Sequence, residues 1–160
     1  MNGHVLTVEQ LPGVVAGLRE AGETVVLTNG CFDVLHAGHV HYLDQARGLG
    51  DRLIVGLNSD ESVRALKGPD RPVNSADDRA SVLLGLSSVD IVSVFTELTP
   101  ERLIRLVAPD VYVKGGDYAG GVPEEELVAS LGGCVEILDL VPGRSTTQML
   151  NRVMAMRGEG

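Results

Sequence analysis

Apolar, mostly β-branched runs alternate along the chain with segments of helical periodicity. Five runs have the length of a buried strand: residues 24–27, 53–57, 91–95, 111–113 and 135–138. Because most of their successive positions are apolar rather than strictly alternating, they are typical of strands covered on both faces. Strands that alternate with helices form parallel sheets joined by right-handed crossovers. The pattern predicts one α/β domain over residues 1–160, doubly wound and Rossmann-like, with a five-stranded parallel sheet and helices on both faces.

The segment before the first strand is amphipathic over residues 7–19. We expect residues 1–23 to form a helical extension that packs on the outside of the domain. Two later helix starts are marked by capping residues. Ser75 is followed three residues later by Asp78, as in an acidic capping box, and Thr99 precedes a proline at the first helical position.

Polar and glycine residues follow the predicted strands at their carboxyl ends. In an open parallel sheet, ligands bind outside these ends, where the strand order reverses. The first strand leads into residues 29–39, the second into 58–60, the fourth into 114–118 and the fifth into 143–147. We expect these four segments to form one ligand site.

The first of these segments has the residue types of a phosphate site. His36 and His39 lie three residues apart with Gly38 between them, which predicts two imidazoles at one helix N-terminus. The free N–H groups and the dipole of such a terminus favour anions. Two hydrogen-bond donors near an α-phosphate would stabilise charge during an in-line displacement. We therefore predict His36 and His39 as catalytic groups, with the backbone at Gly30 completing the cradle.

Two lysines and one arginine add positive charge to the predicted phosphate site. Lys67 and Lys114 are the only lysines among thirteen cations, and each precedes a glycine after a predicted strand. A bias towards arginine explains their rarity but not their placement, so we expect both to lie near phosphate. Arg144, with Ser145 and Thr146 before the final helix, predicts a second anion site suited to β- and γ-phosphates.

Composition limits the partners of the chain. The net charge of -9 argues against nucleic acid. No apolar run approaches a membrane span, and the first residues lack the pattern of a signal peptide. Cys31 and Cys134 match no metal-binding or disulfide spacing, and no three histidines share a helix face. We expect a cytoplasmic protein with reduced thiols, no metal site of its own, and neither a nucleic acid nor a membrane as partner.

Residues 30–33 (Gly-x-Phe-Asp) and 36–39 (His-x-Gly-His) resemble the signature of the nucleotidyltransferase superfamily that includes the cytidylyltransferases and the sugar-phosphate adenylyltransferases. Within it, further segments resemble the adenylyltransferases of bacterial ADP-heptose synthesis: 55–60, 66–68, 71–74, 99–101, 113–118 and 145–147. The resemblance implies transfer of AMP from ATP to D-glycero-D-manno-heptose 1-phosphate, with release of pyrophosphate and with Mg²⁺ bound to the ATP. The segment 119–126 departs from the pattern.

The motifs and the resemblance together give three groups of candidate site residues. The catalytic group is His36, His39 and Lys67. The nucleotide-binding group is Asn29, Gly30, Phe32, Gly38, Arg79, Lys114, Gly115, Asp117, Arg144, Ser145 and Thr146. The acceptor-binding group is Asp33, Asn58, Asp60 and Arg71. For four of these a structural role stays open: Asp33 as the holder of a turn, Asp60 as a helix cap, Asp117 as a loop former and Arg79 as a surface residue.

Two other functions stay open. One is a cytidylyltransferase that acts on glycerol 3-phosphate or a phosphorylated amino alcohol, and the other is a nucleotide-binding module without activity. In many bacteria the domain that this chain resembles is fused behind a sugar kinase. We expect this chain to be the stand-alone form, with a separate sugar kinase acting before it, and the resemblance also implies a homodimer.

Overall fold

The computed structural model describes residues 3–158 as a six-stranded parallel sheet with helices on both faces. The strands are β1 (His4–Leu6), β2 (Val25–Gly30), β3 (Arg52–Asn58), β4 (Ile91–Phe95), β5 (Val111–Gly115) and β6 (Cys134–Leu138). The helices are α1 (Leu11–Glu20), α2 (Ala37–Arg47), α3 (Asp60–Lys67), α4 (Ala76–Leu84), α5 (Glu101–Val107), α6 (Glu125–Ser130) and α7 (Thr146–Gly158). The predicted doubly wound α/β class is confirmed.

The predicted number of five strands is wrong, because β1 adds a sixth at the edge of the sheet. It pairs with β4, with His4 opposite Ile91. The strand has only three residues, two of them exposed, so it carries neither an apolar run nor a clear alternation. The N-terminal extension is therefore not purely helical. After β1 it forms a 3-10 turn (Val8–Gln10) and then α1, while residues 1 and 2 lie outside the described part of the chain.

The order of the strands reverses between β2 and β5. Across the sheet the order is β1-β4-β3-β2-β5-β6, and every neighbouring pair is parallel. The chain runs from β2 through β3 to β4 on one side and then returns to β5 on the other side of β2. The carboxyl ends of these two neighbouring strands thus form the topological switch point, where such sheets bind ligands.

Both faces of the sheet are covered by aliphatic side chains. Leu11 of α1, Ile104 of α5 and Val128 of α6 pack in the core on one face. Leu43 of α2 and Leu83 of α4 pack in the core on the other face. All five are fully buried, so the largely apolar character of the central strands is explained by helices on both sides.

The two predicted helix starts have different outcomes. Ser75 Oγ accepts a hydrogen bond from the Asp78 amide at 3.2 Å, which confirms the cap of α4. Helix α5 begins at Glu101, and Pro100 rather than Thr99 is its N-cap.

Between residues 3 and 158, no helix is both long enough and apolar enough to cross a membrane.

Candidate active site

A cleft of about 760 Å³ opens at the carboxyl ends of β2 and β5. Fourteen of the eighteen predicted site residues line it. They are Asn29, Gly30, Phe32, Asp33, His36, Gly38, His39, Lys67, Arg71, Lys114, Gly115, Arg144, Ser145 and Thr146. The structure therefore brings together segments that are more than a hundred residues apart in the sequence.

The two histidines are fixed by hydrogen bonds at the start of α2. His36 is the N-cap, and its Nδ1 accepts from the Gly38 amide at 3.0 Å. His39 Nδ1 accepts from the His36 amide at 3.2 Å, and the two ring centroids lie 3.9 Å apart. Because each Nδ1 is an acceptor, the proton of each neutral ring lies on Nε2. Each ring can thus donate from Nε2 to a ligand in the cleft.

Close approach explains three glycines around the cleft. A Cβ on Gly38 would lie 2.8 Å from the His36 ring and 3.0 Å from Arg144 Cβ. A Cβ on Gly30 would lie 2.9 Å from the Phe32 ring. Gly115 has Leu140 and Tyr42 side chains at 2.9 and 3.0 Å from the same position. These contacts are closer than side-chain carbons tolerate, so the cleft is shaped by backbone that passes close to aromatic and aliphatic walls.

Burial keeps both imidazoles neutral. It lowers the pKa of His39 to about 4, and the neighbouring His36 adds to the effect. Burial, followed by the positive charge of Arg144, also lowers the pKa of His36. At neutral pH both rings are therefore hydrogen-bond donors rather than cations.

This low pKa predicts an acid-dependent loss of stability. The unfolded chain protonates His39 near pH 6.5 and the folded chain near pH 4, so between these values the unfolded state binds more protons. We expect acidification from pH 7 to pH 5 to cost about 2 kcal/mol of the free energy of unfolding through this residue. Urea unfolding at both pH values should show a smaller difference for His39→Gln than for the wild type. An equal difference, or an NMR midpoint for His39 at or above 6.5, would contradict the assignment.

The predicted second anion site lies beside the histidines at the start of α7. Thr146 Oγ1 donates to the Val34 carbonyl at 2.9 Å, which ties α7 to the loop before α2. Ser145 Oγ accepts from the Gln148 amide at 3.0 Å, as a capping residue does. Arg144 is exposed and its Cβ faces Gly38. The N-termini of α2 and α7 and the side chain of Arg144 therefore lie next to each other in one cleft. This arrangement favours the binding of a chain of phosphates.

Replacing Arg144 with alanine should weaken the binding of ATP and leave the fold intact. Loss of one charged hydrogen-bonding partner predicts an increase of about tenfold in the KM for ATP. Thr146→Ala should have a smaller effect of the same sign, since it also releases the Val34 carbonyl. Arg157→Ala in the last turn of α7 is the matched control. Steady-state kinetics and melting temperatures measure both properties, and unchanged kinetics in the first two variants would remove this segment from the site.

Asp33 holds a loop through its carboxylate. Its carboxylate accepts from Arg71 Nε at 2.9 Å and from the Val73 and Asn74 amides at 2.7 and 2.9 Å. Burial opposes ionisation of Asp33, but the Asn74 and Val73 amides and the Arg71 guanidinium outweigh it and lower the pKa of this carboxyl. The geometry supports the structural alternative for Asp33, which places Arg71 in the wall of the cleft.

Arg79 lies beneath the cleft rather than in its lining, and it is 1 % exposed. Its Nε donates to the Asn74 carbonyl at 3.0 Å, and Nη1 donates to the Cys31 and Asn58 carbonyls at 2.7 and 2.9 Å. Its Nη2 donates to Asp60 Oδ1 at 2.7 Å. The predictions for Arg79, Asn58 and Asp60 are therefore corrected: these residues join the ends of β2 and β3 to the loop before α4 and do not line the cleft.

Asp117 also lies outside the lining. It is exposed, and its Oδ1 accepts from the Ala119 amide at 3.2 Å, so it shapes the loop after β5. The alternative role of Asp117, which is to shape a loop, therefore agrees with the structure.

Seven lining residues are not among the named candidates. Cys31, Tyr118 and Thr147 lie within the segments expected to form the site, whereas Tyr42, Leu66, Leu140 and Val141 lie outside them. Tyr42 shares a hydrogen bond of 2.7 Å with Thr28 Oγ1 and donates to the Val113 carbonyl, and burial raises its pKa to about 12. Its position three residues after His39, on the same face of α2, is the signal that could have found it. Leu140 and Val141 follow β6 and have no comparable signal.

Metal ligands and the Cys31 thiol are the remaining groups to consider among the described residues. Within residues 3–158, no three His, Cys, Asp or Glu side chains are grouped as metal ligands. Cys31 lines the cleft, but burial raises the pKa of its thiol. The reactive thiolate is therefore disfavoured at neutral pH.

Comparison with known proteins gives relatives for most of the chain. A bifunctional protein HldE from Pseudomonas entomophila (strain L48) is 54% identical over 150 residues, which are 93% of this chain and 32% of that protein. A bifunctional protein HldE from Syntrophotalea carbinolica is 53% identical over 153 residues, 95% of this chain and 31% of that protein. The chain therefore spans about a third of the length of these relatives.

Solved structures share the fold. The lipopolysaccharide core biosynthesis protein from Thermoplasma volcanium GSS1 superposes with a TM-score of 0.63 at 29% identity, over 75% of this chain and 98% of that one. The pantoate-beta-alanine ligase from Francisella tularensis gives a TM-score of 0.64 at 12% identity, over 91% of this chain and 69% of that one, and shows the fold alone. Residues 27–149, which include both histidines and the start of α7, match the sequence model of the cytidylyltransferase-like family. The chain belongs to this family of nucleotidyltransferases.

Proposed function

We propose that the chain transfers AMP from ATP to a sugar 1-phosphate, D-glycero-D-manno-heptose 1-phosphate, to give ADP-heptose and pyrophosphate. The observation that carries the proposal is one cleft lined by two neutral imidazole donors at the start of α2 and by the basic start of α7. The choice of acceptor is supported by the segments that resemble ADP-heptose adenylyltransferases and by the similarity to the HldE proteins.

The proposed chemistry is an in-line displacement at the α-phosphorus of ATP. An oxygen of the acceptor phosphate attacks, the bond to the α,β-bridging oxygen breaks, and pyrophosphate leaves. The second pKa of a phosphate monoester is about 6, so the attacking group is largely ionised at neutral pH and needs no general base. His36 and His39 donate from Nε2 to the non-bridging oxygens of the α-phosphate, where charge is redistributed in the transition state.

The remaining cations divide between the two substrates. Arg144 and the free amides at the start of α7 bind the β- and γ-phosphates. Lys67, at the end of α3, and Arg71 bring positive charge to the other side of the cleft, where the acceptor phosphate binds. Arg71 contacts Asp33 through Nε and lines the cleft, so its terminal nitrogens can donate to an acceptor phosphate. Mg²⁺ would enter bound to the nucleotide substrate and would neutralise negative charge on its phosphates.

The acceptor implies an earlier reaction and leaves the assembly state as a prediction. A sugar kinase that transfers a phosphoryl group to the anomeric hydroxyl would supply such an acceptor, which agrees with the expected kinase upstream of this step. The homodimer expected from the resemblance stays a prediction, which size-exclusion chromatography with light scattering would test.

A matrix of nucleotides and acceptors tests the proposed function. Pyrophosphate release should be measured with ATP and CTP, each paired with heptose 1-phosphate and with glycerol 3-phosphate. We expect ATP with heptose 1-phosphate to give the highest kcat/KM, by about tenfold or more, since one set of well-placed polar contacts to a base supplies such a factor. A tenfold preference for CTP with glycerol 3-phosphate would replace the proposal with the cytidylyltransferase alternative. Nucleotide binding without pyrophosphate release in any pair would favour the non-catalytic module.

A further inference from the structure

The ammonium group of Lys114 is held from behind by a carboxylate that is not part of the cleft lining. Lys114 Nζ donates to Glu124 Oε1 at 3.4 Å and lies 3.3 Å from Oε2. The two side chains are only 19% and 11% exposed. Both distances exceed the roughly 2.7–2.9 Å of a fully formed charge-assisted hydrogen bond. The ammonium group therefore lies between the carboxylate and the cleft without being fully bound by the carboxylate.

The side chain of Glu124 does not stabilise its own helix by capping. It occupies the N-cap position of α6, but its side chain makes no capping hydrogen bond. Its Oε2 atom is buried, and among residues 3–158 no group donates a hydrogen bond to it. A buried carboxylate without such donors is unfavourable unless a cation compensates it. The placement of Glu124 is thus explained by Lys114 and not by the capping of α6.

Two tyrosines complete the surroundings of the ammonium group. Nζ lies 5.4 Å from the centroid of the Tyr118 ring and 5.9 Å from that of Tyr112, within the range of cation–π contacts. The Tyr112 hydroxyl donates to Asn29 Oδ1, and Asn29 lines the cleft at the end of β2. The Lys114 ammonium group therefore contacts a carboxylate and two aromatic rings, and Lys114 also lines the cleft.

We propose that Glu124 is a positioning residue that holds the Lys114 ammonium group at the wall of the cleft, ready for the phosphate chain of the nucleotide. A free lysine side chain loses conformational entropy when a ligand fixes it. Here the ion pair fixes Lys114 during folding, so the nucleotide meets an ordered cation. The long ion-pair distances leave N–H donors of the ammonium group for phosphate oxygens. This inference rests on the proposed function, because it takes a nucleoside triphosphate as the ligand.

The test is a double-variant cycle read by nucleotide binding and by kinetics. Glu124→Gln keeps the size of the side chain and removes its charge. We expect it to raise the KM for ATP and the Kd of α,β-methylene-ATP about tenfold, with little change in kcat. Lys114→Met should raise both at least as much. The combined variant should bind no worse than Lys114→Met alone, because Glu124 acts only through the lysine. Glu125→Gln, an exposed neighbour in the first turn of α6, is the matched control and should leave both values unchanged.

The possible results separate this inference from the proposed function. An unchanged or tighter Kd in Glu124→Gln overturns the positioning role, and so does an effect of Glu124→Gln that persists in the Lys114→Met background. If the wild type releases pyrophosphate and Glu124→Gln binds normally, only the inference fails. If the wild type releases no pyrophosphate while the Kd of the analogue still depends on Glu124 through Lys114, only the proposed function fails.

Discussion

Replacing His39 with alanine is expected to lower kcat by at least about 10²-fold, with a much smaller effect on the affinity for ATP. The neutral ring donates from Nε2, and charge on the α-phosphate oxygens grows as the displacement proceeds. An interaction made mainly in the transition state appears in kcat rather than in binding. Stopped-assay measurement of pyrophosphate release and the Kd of α,β-methylene-ATP provide the two values.

A second variant separates chemistry from structure at this position. His39 Nδ1 also accepts from the His36 amide, so alanine removes a structural bond together with the donor. In His39→Asn the side-chain oxygen can take the place of Nδ1, while nothing reaches the position of Nε2. We expect His39→Asn to be nearly as inactive as His39→Ala and to melt closer to the wild type. A folded His39→Ala protein with near-native kcat would rule out the catalytic role.

Replacing Arg79 with methionine is expected to reduce the free energy of unfolding by about 3 kcal/mol or more. The change leaves three carbonyl groups and Asp60 Oδ1 without the donors that the guanidinium supplies. Arg64→Met, at an exposed position in the last turn of α3, is the control and should change stability little. Denaturant unfolding gives the free energies. If Arg79→Met melts like the wild type but loses affinity for ATP, the residue faces the nucleotide after all.

The sequence was sufficient for the layout of the fold because five strands carry largely apolar runs. The observed strands begin or end within three residues of the predicted bounds, as with Val25–Gly30 for the run at 24–27. The edge strand His4–Leu6 could not be predicted, because two of its three residues face solvent and leave no pattern. What defines this strand is its pairing with β4, which is a long-range contact.

The candidate site was predictable where a short segment carries its own geometry. Residues 36–39 contain the capping His36, the small Gly38 and the donor His39, so the local sequence already determines their arrangement. Prediction failed for Arg79, because the resemblance implied a nucleotide contact for this position, whereas α4 buries the side chain outside the cleft lining. The ion pair of Lys114 and Glu124 could not be predicted either. The two residues are ten positions apart and are joined by a loop, and the sequence of that loop does not indicate that its end packs against β5.

Tracing the α-phosphate of ATP tests the central claim most directly. The protein should be incubated with Mg²⁺, heptose 1-phosphate and ATP labelled at the α-phosphorus, and the products separated by chromatography. Displacement at the α-phosphorus by the sugar phosphate predicts label in a nucleotide sugar, formed in equal amount with unlabelled pyrophosphate, and almost none of it when His39 is replaced by alanine. Label that appears in pyrophosphate or only in free AMP, or the same yield from His39→Ala, would contradict the transfer reaction assigned to this cleft.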